Sequence, residues 1–211
     1  MSWIAPEVTR TEEPFVADER TMLEGWLDWH RATLLRKCAG LTGEQLARRP
    51  VPPSSLSLLG HVRHMEEVGR SWFRRRFAGE PLTSLAFLYC SDESPEADFD
   101  GAAAAGAAAD FAALGSEVEL ARAATAGHLL DEVFCHSHRK VNMNLRWVCI
   151  HLIGEYARHN GHADLSANAS TAPPATRSLS RPAGRGDWLF RLSRRTGVRS
   201  ASGPGYPGRD G

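Results

Sequence analysis

The chain has 211 residues, enough for one domain with a sizeable core or for a domain plus an appendage. Its formal net charge is zero, so no overall field draws it to nucleic acid or an anionic membrane, and no apolar run approaches the roughly 20 residues that span a bilayer. The start "MSWIAPEVTR" lacks the basic end and apolar stretch of a secretory signal, which points to the cytoplasm. Cys38, Cys90, Cys135 and Cys149 have no CxxC spacing, so a disulfide framework or zinc finger is not expected.

A short proline-containing arm leads into a first predicted helix from Asp18 to Ala39, with Leu23, Leu27, His30, Leu34 and Cys38 at the spacing of a buried face. "LTGEQL" reads as a short helix capped by Thr42, with Gln45 at the capping-box position. After the break "RRPVPPSS", a second long helix runs from Leu56 to Phe77 on Leu58, Val62, Met65, Val68 and Trp72. Pro81 to Gly101 holds the acidic "CSDESPEADFD", which lacks an EF-hand ligand pattern and reads as a solvated loop. The Ala-rich stretch that follows is a third long helix with Phe111, Leu114, Val118 and Leu120 or Ala121 inward.

"FCHSHRK" reads as a loop, and its Cys135, His136 and His138 form a weak metal signal without a second cluster. The fourth long helix spans Asn144 to Leu165, and no strand-like alternation is visible anywhere. Four long helices joined by loops predict an all-α four-helix bundle over residues 1–165. Residues 166–211, rich in Ser, Pro, Gly and Arg, are expected to be disordered: they cannot bury enough surface to offset their conformational entropy.

The last helix raises the functional question. In "IGEYARHNGHADL", Glu155 and His159 are four apart and share a face, where an unpaired titratable group is costly. His64 lies in "LLGHVRHMEEV" on the second helix, and facing helices of a bundle can bring all three to one interior point. Two imidazoles and a carboxylate are a three-donor set for a catalytic divalent ion, with a position left open. The same residues also admit a plain reading: Glu155 paired with Arg158 or Arg63, and histidines held by hydrogen bonds. Nor is the set unique, since His151, His162 and His61 each lie about a turn from one of its members. His30 and His128 read as structural or exposed, and no cysteine has the context of an activated nucleophile.

Together "TMLEGWLDWHRATLLRKCAGLTGEQL", "LSLLGHVRHMEEV", "SWFRRRFAGE", "EADFD" and "LRWVCIHLIGEYARHNGHADL" resemble the DinB-like (YfiT-like) superfamily, in particular a branch related to mycothiol-dependent maleylpyruvate isomerase. The resemblance runs in order to about Leu165. It implies a four-helix bundle holding a divalent metal, zinc or nickel, with His64, Glu155 and His159 at the ligand positions and His162 at a polar non-ligand one. It further implies mycothiol or a similar low-molecular-weight thiol as cofactor and a small electrophile as partner, in a transferase or isomerase. No nucleic-acid or membrane partner is expected, and a homodimer is compatible. The alternative is a non-catalytic metal-binding or stress-related bundle, or a plain dimerising bundle with no metal. Relatives continue past "HADL" with a charged segment such as "LRERIDGAT". One choice of synonymous codons for the residues from Ser166, read one nucleotide out of frame, spells that segment, so 166–211 is a candidate frameshift product.

Overall fold

The computed structural model describes residues 3–81 and 88–171. These form a mostly helical unit with one small two-stranded sheet. Helix α1 spans Glu19–Cys38 and starts where Asp18 accepts hydrogen bonds from the Thr21 amide and hydroxyl. It buries Leu27, His30, Thr33, Leu34 and Cys38. Helix α2, Gly43–Ala47, carries the expected capping box: the Gln45 amide donates to the Thr42 hydroxyl, and the Thr42 amide donates to the Gln45 side chain at 2.9 Å. The N-terminal arm is tied to this corner, since the Ala5 amide donates to the Leu41 carbonyl and the Gly40 amide donates back to Ala5. Gly40 makes that turn at φ +75°, where a Cβ would be strained.

Helix α3, Leu58–Gly69, is capped by Ser57 and continues as a π-helical segment, Arg70–Phe77. The apolar spacing predicts a single α-helix there. Within the wider coil Arg74 reaches Glu80 and Glu117, Arg75 reaches the Ser71 hydroxyl and Arg76 reaches His136. The acidic loop is also corrected in part. Its residues 82–87 lie outside the described ones, but Ala97–Asp100 form a short helix, α4, with Asp98 and Phe99 buried. Gly60 permits that packing, because a Cβ on it would sit 2.5 Å from Phe99 Cδ1.

Helix α5, Ala107–Thr125, follows a 3-10 turn and turns the expected face inward, with Phe111 and Val118 partly buried against the core. Leu114 and Ala121 are buried as predicted, but Leu120 is 44% exposed, while Asp110 and Glu117 are buried. The reason is chemical. Asp110 pairs with Arg63 at 3.3 Å, and Glu117 accepts from Arg74 at 2.9 Å and Arg70 at 3.4 Å. The two carboxylates are thus buried beside the apolar face of α5, each opposite an arginine of α3 or its extension.

The stretch read as a loop around "FCHSHRK" is an antiparallel hairpin: β1, Val133–His136, pairs with β2, Val141–Asn144, with Lys140 at φ 55° in the turn. Most of its side chains are exposed, which is why no apolar alternation marks it. Helix α6 then runs Leu145–Thr171, beginning where the Trp147 amide donates to the Asn144 side chain at 2.9 Å, and it passes Leu165 by six residues. The rest of the expected disordered tail, 172–211, lies outside the described residues.

Helix α6 packs along α1 and crosses α3, and α3 also packs on α4 and α5. Leu34, Leu46, Leu58, Leu59, Val62, Met65, Leu145, Val148 and Leu152 fill the core between them. Among the described residues no helix is long and apolar enough to cross a membrane. Cys38 and Cys149 are buried core thiols that burial pushes up to about 12 and about 11, so neither is a nucleophile.

Candidate metal centre

Two helices build the site. Helix α3 presents His61 and His64 one turn apart, and α6 presents Glu155, His159 and His162 on one face. His64, Glu155 and His159 each place a donor atom within 4.8 Å of the other two. Two donors on one ion at about 2.1 Å lie no more than about 4.2 Å apart. Three donors cannot all lie that far apart, since in a tetrahedral shell they are about 3.4 Å from one another, so side-chain movements of about an ångström would bring this set onto an ion.

His64 is held from behind. His64 Nδ1 lies 2.7 Å from Asp98 Oδ2, and the Phe99 amide donates to Asp98 Oδ1 at 2.9 Å. Burial works against ionisation of Asp98, but the His64 hydrogen bond and charge and the Phe99 amide outweigh it, holding the carboxyl below its usual range. An ionised Asp98 accepts a hydrogen bond from His64 Nδ1–H and leaves Nε2 with its lone pair free, the arrangement that orients metal-bound histidines. Nothing in the periodicity of the acidic stretch marks Asp98 for this role; only its place beside His64 does.

His159 Nε2 is 3.5 Å from Glu155 Oε2, and the Glu155 carboxylate also faces Arg158 at 3.5 Å and His151 at 4.0 Å. The ion pair with Arg158 considered from the sequence is thus present, whereas Arg63 turns instead to Asp98 and Ala97 carbonyls and to Asp110. His151 is stacked on Trp147 and flanked by Trp72, outside either three-donor group. His61, His159 and His162 make a second group with donors within 4.8 Å, which the sequence suggested only as isolated substitutes. The Phe99 ring covers His61 and His64 at centroid distances of 5.4 and 5.3 Å.

The remaining histidines do other work. His30 is buried beside Asn160, whose side-chain amide donates to the His30 carbonyl at 3.0 Å, and His128 pairs with Glu132 at the surface. His136 receives the Arg76 guanidinium at 3.1 Å, and the Cys135, His136 and His138 cluster joins no three-donor group among the described residues.

The donor chemistry fits a divalent ion. Burial, then the neighbouring imidazoles, push His159 down to about 3; burial, partly offset by the Ser57 carbonyl, pushes His61 down to about 4. Both are neutral imidazoles at pH 7, and three buried nitrogens here, His61 Nε2, His159 Nδ1 and His162 Nδ1, have no hydrogen-bond partner among the described residues.

The same depressions predict a pH response of metal-free protein. The unfolded imidazoles take up protons near 6.5, before the folded ones do, so stability is intact above that value and is lost as pH falls toward 4. Burial holds Glu66, Asp110 and Glu117 above the usual carboxylate range, which acts in the opposite sense at the acid end. The midpoint temperature of chelator-treated protein should therefore fall between about pH 7 and pH 5.5. A midpoint that is flat or rises over that interval contradicts the assignment.

One comparison bears on this arrangement. A family model described as MST: Mycothiol-S-transferase matches residues 22–166, well over half of the chain and all of the five donor residues. No curated protein and no solved structure matches.

Proposed function

The chain belongs to the mycothiol-S-transferase family, and from that premise we propose that it holds one divalent ion, zinc or nickel, between His64, Glu155 and His159 and joins mycothiol or a similar thiol to a small electrophile. The supporting observation is the convergence of those three donors with Asp98 bonded behind His64. On this reading α1, α3 with its π-helical extension, α5 and α6 are the four helices of a DinB-like bundle, and the work is done in the cytoplasm.

An ion in this set supplies Lewis acidity and draws a thiol from its free pKa of about 8.5 toward thiolate. The chain's own residues do the rest. His64 and His159 bind as neutral imidazoles, and Asp98 fixes the tautomer of the first. Glu155 would contribute the one negative charge of the donor set. Phe99 keeps water off the α3 side of the imidazoles.

The test uses untagged protein. Metal analysis should find about one ion per chain, and a thiol-and-electrophile assay should show consumption that drops in Glu155→Gln by at least about 10–100-fold, the scale set by losing even an outer partner of a ligand. Protein that is metal-free as isolated and after reconstitution defeats the metal assignment. Metal-loaded protein inert toward a broad electrophile panel supports a non-catalytic binding module instead.

A further inference from the structure

We propose that His61, His159 and His162 form a second, all-histidine metal position that shares His159 with the first and is occupied in alternation with it. The inference rests on the preceding reading only in that His159 is a ligand of the first position.

His61 is built as His64 is. It is fully buried, and its Nδ1 lies 2.7 Å from the Ser57 carbonyl oxygen, which can only accept. The proton therefore sits on Nδ1 and the lone pair on Nε2, which is buried and unpartnered. His159, 9% exposed, and the half-buried His162 add two more buried nitrogens without partners, both Nδ1. Ring centroids are 5.4 Å apart for His61 and His159, 5.6 Å for His159 and His162 and 6.2 Å for His61 and His162. Each orphaned buried group costs about 1–3 kcal/mol. The three residues that carry them each offer a ligand atom within 4.8 Å of the others, so a cation would serve as a common partner.

Alternation follows from the proton count. A neutral imidazole has one lone pair, so His159 serves the first position through Nε2 with its proton on Nδ1, or the second through Nδ1 with its proton on Nε2. In the second case Nε2–H faces the side of Glu155, whose Oε2 is 3.5 Å away, and a small closing movement would make the released carboxylate a hydrogen-bond acceptor behind the ligand. No proton is gained or lost overall. Without a carboxylate in the set, three neutral imidazoles suit a borderline ion such as zinc or cobalt(II) and bind it more weakly.

Zinc and cobalt(II) are titrated against a competing chelator into the full chain as wild type, His64→Ala, His64→Ala/His162→Ala and His159→Ala. His64→Ala should retain one equivalent, about 100-fold weaker, the scale of one ligand's share of a zinc site. Its cobalt absorption spectrum should differ from the wild type's, because the donors have changed from two imidazoles and a carboxylate to three imidazoles. The double variant and His159→Ala should bind none. Retention in His64→Ala no better than in His159→Ala, or retention unaffected by His162→Ala, overturns the second position while leaving the first intact. A wild type that binds neither ion defeats both. Far-UV circular dichroism accompanies each titration, and His162→Gln replaces the alanine if the double variant is unfolded.

Discussion

His159→Ala is expected to reduce bound divalent metal from about one ion per chain to background and to abolish thiol transfer, because both donor groups pass through this residue. The fold should survive. His159 Nδ1 has no hydrogen-bond partner, and its Nε2 faces Glu155, a carboxylate that also faces Arg158 and His151. Removing an imidazole that is buried neutral also removes a desolvated polar atom, so the loss of packing and the relief of that cost oppose each other. The metal-free variant should accordingly melt within about 1 kcal/mol of metal-free wild type. Metal analysis, the transfer assay and a melt with chelator present separate the outcomes. One ion per chain persisting in His159→Ala would mean that the ligands have been misassigned. Loss of metal together with loss of helical signal would mean that His159 is a packing residue first.

Glu117→Ala should be strongly destabilising although it lies away from the site. Glu117 is buried on α5, and its Oε2 accepts from Arg74 at 2.9 Å and Arg70 at 3.4 Å. Truncation leaves Arg70 and Arg74 without this carboxylate in a poorly solvated interface; Arg74 keeps Glu80 at 2.8 Å. Breaking a buried pair from one side costs about 3–5 kcal/mol. Because both arginines keep some solvent contact, about 3 kcal/mol is the better expectation. For a domain of this size that corresponds to a fall of about 6–12 °C in melting midpoint. The residual Arg70 and Arg74 charges are the cause, so replacing both arginines by Met in the Glu117→Ala background should recover part of the loss. A midpoint within about 2 °C of wild type would show that α5 is held by Leu114 and Ala121 instead.

The sequence by itself determined the helices whose ends and faces are written locally. Thr42 caps α2 at the position its side chain predicts, and α1 starts at the predicted place, with Asp18 as its cap, since a cap is a contact among residues three apart. The buried stripe through Leu27, His30, Leu34 and Cys38 follows from periodicity alone, as does the shared face of Glu155 and His159. Tertiary structure decided whatever depends on a partner distant in the chain. The burial of Asp110 and Glu117 beside the apolar face of α5 depends on Arg63, Arg70 and Arg74, which lie far off in the chain. Asp98 left the solvated acidic stretch for the interior because His64 lies opposite it and Gly60 leaves room for Phe99. The hairpin formed without apolar alternation, through backbone pairing that side-chain patterns do not record. That His61 and His162 join His159 in a second donor group is likewise a property of how α3 lies against α6. Spacing along one helix fixes which side chains share a face, but only the packing of two helices fixes which faces meet.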